Sequence, residues 1–391
     1  MARSTGLGSL GRAHARGCRS RYNQVVETRA KGASGIDGAG HVQLRSAAVS
    51  RGRPNRTSHL RYGGKTQHAA SLPVVTLEDI QSAQERLRGI SLRTPLQRVR
   101  FPEGEVFLKP ENLQPVGSFK LRGAYNKVAS FSTEQRQRGV IAYSSGNHAQ
   151  GVAYAARALG SRATIVMPNN SPPLKFEKTK ALGAEIVIVG PSSDERKARA
   201  EELAREHGYA LVPPYDDEAI IAGQGTIGLE IIEDLPDVNA ILVCVGGGGM
   251  ISGIAAAVKN LRPDCRVYGV ESELGAKAKA SFEAGRRIAF PADKTSRTIA
   301  DGLRTQSVGE CNFKHIQHYV DGFISVSEEE IRESVRRLAF DAHLVAEPSG
   351  AVPLAAALFH RDEFPSETNT VAIVSGGNIA PEMLTEILTQ G

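Results

Sequence analysis

The sequence predicts an α/β protein made of two open, doubly wound sheet domains with a ligand site between them. Three observations carry this expectation. From residue 139 onward, short apolar runs alternate with amphipathic stretches, the pattern of parallel strands joined by right-handed helical crossovers. Glycine-rich turns stand where several of these runs end, and 40 glycines with 41% hydrophobic residues suit many tight strand-to-helix turns. At 391 residues the chain is long enough for two domains.

Residues 1–71 are expected to stand outside this fold, because they are rich in Gly, Arg and Ser and show no sustained period of 2 or 3.6. Residues 1–70 carry eleven Arg, two Lys and only two acids, Glu27 and Asp37, whereas the remainder has 35 basic against 40 acidic residues. The formal charge of +6 therefore belongs to the leader. The mildly acidic body gives no reason to expect a nucleic-acid partner. Three readings of the leader stay open: a disordered extension or over-long start, an Arg-rich organellar transit peptide, and a functional basic arm. The lack of an apolar h-region argues against a secretory signal. No run approaches 18 apolar residues, so no membrane partner is expected. Cys18, Cys244, Cys265 and Cys311 lie far apart with no CxxC or Cys/His cluster, so no metal site is expected. Reduced thiols point to a cytoplasmic protein, or an organellar one if the leader is a transit peptide.

Order is expected from Leu72. Thr76 is placed to cap a helix whose Leu77, Ile80, Ala83 and Leu87 form one apolar face, with Asp79 in the first turn and Gly89 near the stop. Thr94-Pro95-Leu96 then turns the chain into a short strand, Glu105 to Lys109. Residues 139–216 read as a small substrate domain: VIAYSS and a helix from Asn147, ATIVMP and a helix after Pro173, AEIVIVG and a helix from Asp194 through Glu206, then YALVPP. Residues 72–138 and 217–391 read as the larger domain. It has a helix from Gly225, the strand AILVCV, four glycines, a helix from Met250 to Lys259 and the strand RVYGVES. A helix from Ser327 to Phe340, a helix from Gly350 to Leu358 and the strand TVAIVSGG complete it.

Four strand-to-helix junctions supply candidate chemistry, and the carboxyl ends of strands are where an open α/β sheet binds ligands. Lys120 follows the turn Gly117-Ser118-Phe119 at the start of a helix. A lone lysine there is usually a solvated charge. Its setting differs: Gly117 permits a sharp turn, Ser118 is a candidate N-cap, and Phe119 offers an apolar wall that would lower the pKa of a Schiff-base amine. Gly246, Gly247, Gly248 and Gly249 link an apolar strand to a helix, so their N–H groups can close around a phosphate. The run fits neither GxGxxG nor GxxxxGK[ST], which argues against dinucleotides and nucleoside triphosphates. Ser144-Ser145-Gly146-Asn147-His148 offers hydroxyls, an amide and helix N–H groups to a carboxylate. Ser375-Gly376-Gly377-Asn378 closes the last strand, either as a plain turn or as a ligand contact.

The ordered motifs GSFKLRGA, SSGNHAQGVA, PPYDDEAIIAGQGTIGLEI, GGGGMISGIA, ADGL and SGGN, spread over residues 74–385, resemble the fold-type II pyridoxal-phosphate enzymes in their threonine/serine dehydratase and serine racemase branch. The resemblance implies a tryptophan synthase β-like architecture, pyridoxal 5'-phosphate as cofactor, a small amino-acid substrate and a homo-oligomer, dimer or tetramer. Carried over motif by motif, it implies that Lys120 forms the Schiff base, Phe119 packs beside it and Asn147 meets the cofactor's 3-hydroxyl. Gly246 to Gly249 with Met250 would hold the phosphate, and Ser375 would face the pyridine nitrogen. Ser144, Ser145, Asn147 and His148 would receive the substrate carboxylate, with Arg196 as a further contact.

The expected reaction is conversion of L-threonine or L-serine to a 2-oxo acid and ammonia, with the freed Lys120 amine as base. A hydroxyl at the ring nitrogen supplies no anion to stabilise a pyridinium, which favours prompt β-elimination over transamination. Serine racemase is the close rival, because Ser145 stands where racemases carry a second proton donor; threo-3-hydroxyaspartate is an alternative substrate. The PYDD run (Pro214 to Asp217) looks like a dehydratase. Lys277 stands where the racemase metal site has an acid, and its charge would oppose a divalent cation. Glu271 and Glu273 read as a solvated pair at a strand end. From a different class, a catalytically silent amino-acid sensor or basic-arm adaptor is the remote alternative.

Overall fold

A computed structural model of the chain describes residues 74–390 apart from 145, 172 and 366–368. The expectations for residues 1–71 and for Ser145 lie outside the described residues. In chain order the first helices are α1 (Leu77–Leu87), α2 (Lys120–Ser130), α3 (Thr133–Arg138), α4 (Asn147–Ala158), α5 (Pro173–Ala181), α6 (Ser193–His207) and α7 (Glu218–Asp234). They are followed by α8 (Gly249–Leu261), α9 (Lys277–Ala284), α10 (Ala292–Thr295), α11 (Glu310–Tyr319), α12 (Glu328–Phe340), α13 (Pro348–Phe359) and α14 (Pro381–Thr389). The strands are β1 (Gln97–Phe101), β2 (Gly104–Pro110), β3 (Val140–Tyr143), β4 (Ala163–Pro168) and β5 (Glu185–Val189). The rest are β6 (Ala210–Leu211), β7 (Ala240–Cys244), β8 (Arg266–Ser272), β9 (Gly322–Val326) and β10 (Thr370–Val374).

Six strands form one sheet in the order β1-β2-β10-β7-β8-β9, parallel apart from the β1-β2 hairpin. Four strands form a second, all-parallel sheet in the order β5-β4-β3-β6. These are the two α/β sheets the apolar runs predict. Strands β7 and β10 are buried along their whole length, which is why AILVC and TVAIV read as unbroken apolar runs rather than alternating ones. Helix starts follow their caps: Thr76 with Asp79, and Ser327 with Glu330, both form reciprocal capping boxes.

Two local expectations are corrected. Helix α7 begins at Glu218 rather than Gly225, because the Asp217 carboxylate accepts the N–H groups of Ala219 and Ile220 and so starts the helix earlier. Ser118 does not cap α2. Phe119 holds the N-cap position, and the fully buried Ser118 pairs instead with Gly376 in an isolated antiparallel bridge.

Helix α2 lies between α4, which packs on the smaller sheet, and α7, which belongs to the larger. Both neighbours approach its backbone through glycine: a Cβ on Gly151 would sit 3.1 Å from the Lys120 carbonyl oxygen, and one on Gly223 would sit 2.7 Å from that of Arg122. A buried charge cluster fixes α2 on the large-sheet side. Arg122 forks onto Glu111 (Nε–Oε2 and Nη2–Oε1, both 2.8 Å) and onto Glu230 (Nη1–Oε1 2.6 Å, Nη2–Oε2 2.9 Å). Lys109 donates to Glu230 at 2.7 Å and to the Thr94 carbonyl at 2.6 Å, and Thr94 Oγ1 donates to Glu111 at 2.7 Å. Burial alone would raise Glu111, but the Arg122 charge and hydrogen bonds prevail and hold its carboxyl below the usual range.

Two cations balance two anions in this cluster, so removing one partner strands a buried charge. Arg122→Met alone is expected to cost about 3–5 kcal/mol in urea unfolding. The fourfold replacement Lys109→Met, Glu111→Leu, Arg122→Met, Glu230→Leu is expected to recover most of that loss. A fourfold variant less stable than Arg122→Met would show that the charges themselves stabilise the fold.

Candidate active site

Helix α2 starts at Lys120, whose side chain turns toward the segment that leaves the smaller sheet. Its Nζ donates to the Pro214 carbonyl at 2.7 Å and stands 5.3 Å from the centre of the Phe119 ring. The residue is only part-buried, yet its amine lies deep enough that burial lowers its pKa from 10.5 to about 8. No carboxylate pairs with it among the described residues.

The turns around it are tied to one another. Gly117 adopts φ +71, and its carbonyl accepts the Gly377 N–H at 2.9 Å, while Phe119 N–H donates to the Ser375 carbonyl at 3.0 Å. Asn378 Nδ2 donates to the Val116 carbonyl and to Asn147 Oδ1, both at 2.8 Å. Asn147 Nδ2 donates in turn to Glu347 Oε1 at 2.6 Å. On the other side, Cys244 Sγ donates to Ser375 Oγ at 3.3 Å, and Cys244 ends the strand that runs into the glycine turn. Lys120, Asn147 at the start of α4, the strand end before Gly246 to Gly249, and Ser375 thus join into one connected site.

At the glycine turn, Gly248 has φ +101 and stands just before α8, with no side-chain cap. None of the hydrogen bonds formed among the described residues uses the N–H groups of Gly246 to Met250, although all of these residues except Gly246 are buried. Buried amides without acceptors at the start of a 13-residue helix call for an anion. Helix α4 repeats the arrangement: its N-cap is Gly146, without a side-chain bond, so the N–H groups of its first turn also face an open acceptor position. A phosphate seat, a carboxylate seat and a low-pKa amine fit pyridoxal phosphate with an amino-acid substrate.

The remaining expected residues fall as follows. Ser144 Oγ accepts the Gly146 N–H at 3.2 Å and shapes the turn. His148 is buried with Nε2 on the Val212 carbonyl at 2.9 Å, and burial first, then the Lys120 charge, drop its pKa to about 3. It is neutral, so what it has for an anion is its backbone N–H in the first turn of α4 rather than a cation. Arg196 donates to the Pro191 carbonyl and Ser193 Oγ at the start of α6, and joins none of the contacts just described. The solvated pair expected at Glu271 and Glu273 is half wrong: Glu271 is buried and ion-paired at 2.8 Å with the fully buried Lys277. Among the described residues no three His, Cys, Asp or Glu side chains gather as a metal site.

Sequence reasoning missed Glu347, Lys175 and Asp301. Glu347 is buried, and burial first, then Asp301, hold its carboxyl well above the usual range. Lys175 pairs with Asp301 at 2.5 Å, and Lys178, one turn on, donates to Asn378 Oδ1 at 3.0 Å. Glu347 stands as the cap position before Pro348 of α13, a position from which its side chain gives no capping bond. An acid directly before a proline-started apolar helix was the available signal.

Comparison with known proteins agrees with this geometry. The family described as pyridoxal-phosphate dependent enzyme matches residues 88–376. The L-threonine ammonia-lyase of Thermotoga maritima is 45% identical over 322 residues, covering 81% of this chain and 79% of that protein. A catabolic L-threonine dehydratase of Staphylococcus aureus is 41% identical over 325 residues, covering 81% and 93%. Among solved structures, a T.th. threonine deaminase is 43% identical with a TM-score of 0.74, covering 78% of this chain and 99% of that one. Maize serine racemase is 34% identical with a TM-score of 0.76, covering 80% and 97%. Since the family model spans residues 88–376 and these relatives cover most of the chain, the chain belongs to the fold-type II pyridoxal-phosphate-dependent enzymes.

Proposed function

We propose that this enzyme is an ammonia-lyase that converts L-threonine, L-serine or both to 2-oxobutanoate or pyruvate and ammonia. The observation that carries the reading is the Lys120 amine, held on a neutral carbonyl at a pKa of about 8, beside two turns whose N–H groups lack acceptors. Bound pyridoxal phosphate supplies the electron sink that acidifies the substrate's α-C–H bond. Gly246 to Gly249 and Met250 would hold its phosphate, Asn147 its 3-hydroxyl and Ser375 its ring nitrogen, with Phe119 beside it. The first turn of α4, with Ser144, would hold the substrate carboxylate. Lys120 takes the α-proton onto Nζ, since an amine at this pKa is substantially neutral near pH 8. The β-hydroxyl then leaves as water, and hydrolysis of the released enamine yields the 2-oxo acid and ammonia. Threonine-directed relatives on both the sequence and the structural side, with serine-directed ones among the solved structures, support this choice.

A second reading has two observations in its favour. Ser145 is a hydroxyl in the carboxylate turn, and the maize serine racemase resemblance extends across 97% of that chain. A proton carrier on the face opposite Lys120 would add racemisation. A homo-oligomer in the cytoplasm or an organelle completes the proposal. The exposed apolar side chains of Phe340 and Val345 support an assembly by offering surface that a second copy would cover, and no described helix is long and apolar enough to cross a membrane.

Two measurements check the reading. Purified protein with cofactor is expected to form 2-oxobutanoate from L-threonine and pyruvate from L-serine, with little D-serine. D-serine without oxo acid would establish the racemase, and activity on threo-3-hydroxyaspartate alone would move the substrate. In cofactor-free protein, acylation of Lys120 followed by peptide mass analysis should rise with a midpoint near pH 8 rather than near the 10.5 of an ordinary lysine. Because burial lowers this pKa in the folded state, folding binds fewer protons between those values, so Lys120 contributes a gain in stability as pH rises through them.

A further inference from the structure

The glycine turn presents its N–H groups only because something holds its carbonyls the other way. A run of four glycines has little side-chain constraint of its own, and each peptide plane in it can rotate. Two carbonyls at the turn are tied from behind. Val245 O accepts from Lys277 Nζ at 3.0 Å, and Gly247 O accepts from Gly309 N–H and from Asn312 Nδ2, both at 2.9 Å. In a planar trans peptide the N–H points opposite its carbonyl, so these bonds aim the N–H groups of Gly246 and Gly248 into the cup.

We propose that Lys277 and Asn312 are positioning residues of the phosphate seat, holding these two peptide planes so that their amides face the phosphate. This rests on the glycine turn being the phosphate seat. Both side chains are fully buried, where a polar group is costly unless it is engaged. Lys277 Nζ is kept in place by Glu271 Oε1 at 2.8 Å and the Leu303 carbonyl at 3.1 Å. Glu271 in turn accepts the Ala278 and Lys279 N–H groups at the start of α9, both at 2.9 Å, so the ammonium is anchored to a helix. Asn312 stands in the first turn of α11, whose Glu310 and Cys311 N–H groups are held by the Asp216 carboxylate at 2.9 and 2.8 Å. The preceding Tyr215 packs its ring where a side chain on Gly247 would have to go. The PYDD segment therefore touches the seat from two directions, and Pro214 receives the Lys120 amine.

The test compares pyridoxal 5'-phosphate with pyridoxal, which differs only in lacking the phosphate. Full-length protein is stripped with hydroxylamine, checked for unchanged far-ultraviolet circular dichroism, and titrated with each compound; Lys277→Met, Lys277→Arg and Asn312→Leu are treated alike. The expected result is a loss of pyridoxal 5'-phosphate affinity of about tenfold to a hundredfold in Lys277→Met and in Asn312→Leu. Pyridoxal affinity should stay within about twofold, and Lys277→Arg should recover part of the loss. Equal weakening of both compounds, or no weakening of either, in the folded Asn312→Leu protein would overturn the proposal. Wild-type protein that binds the two compounds equally would instead overturn the phosphate seat itself.

Discussion

The buried cluster of Lys109, Glu111, Arg122 and Glu230 is the constraint on which the site depends. It joins β2, the turn after it, α2 and α7 through charge-assisted bonds that are satisfied only in one relative placement of those elements. Lys120 lies two residues before Arg122 on the same helical turn, so fixing the guanidinium fixes the backbone from which the Lys120 side chain reaches the Pro214 carbonyl. An apolar contact would tolerate a small slide of α2. Four forked bonds do not, and a shift of about an ångström at a reacting group is costly in rate.

Around that fixed helix the chemistry arises from what burial does to each titratable group. The Lys120 amine is pushed down, His148 is made neutral, and the Cys244 thiol is pushed up to about 11, so it stays protonated beside Ser375. Glu347 is drawn toward its neutral form. The interior therefore carries few competing charges near the amine, while the two turns proposed as anion seats offer backbone N–H groups at helix starts. At the glycine turn such N–H groups add favourable partial charge without a side-chain cation, whereas at the start of α4 the Lys175 amine, paired with Asp301, stands 3.4 Å from where a Cβ on Gly146 would sit. Lys277 is ion-paired with Glu271 at 2.8 Å behind the glycine turn.

Much of this is legible in the sequence because it lies in local signals. Apolar runs of strand length, the capping pairs Thr76/Asp79 and Ser327/Glu330, and glycines at strand ends each declare themselves within a few residues. The four junctions can be found for the same reason. What is not legible depends on contacts between distant segments. Glu347 reaches Asn147 across 200 positions and Lys175 reaches Asp301 across 126, and nothing near any of them marks the partner. Lys277 reads as a charge opposing a metal, and Glu271 as solvated, because their burial follows from the packing of α9 against β8 and β9. Ser118 looks like a cap because its residue type suits one; the bridge to Gly376 draws it inward instead.

The central claim is that Lys120 is the amine that holds the cofactor. Borohydride reduction of the cofactor-loaded protein, followed by digestion and peptide mass analysis, tests it most directly. The account predicts a stoichiometric phosphopyridoxyl mass on the peptide containing Lys120, and none in Lys120→Ala. A stable adduct on another lysine, such as Lys175 or Lys277, or no adduct on a folded wild-type protein that retains the cofactor, would contradict it.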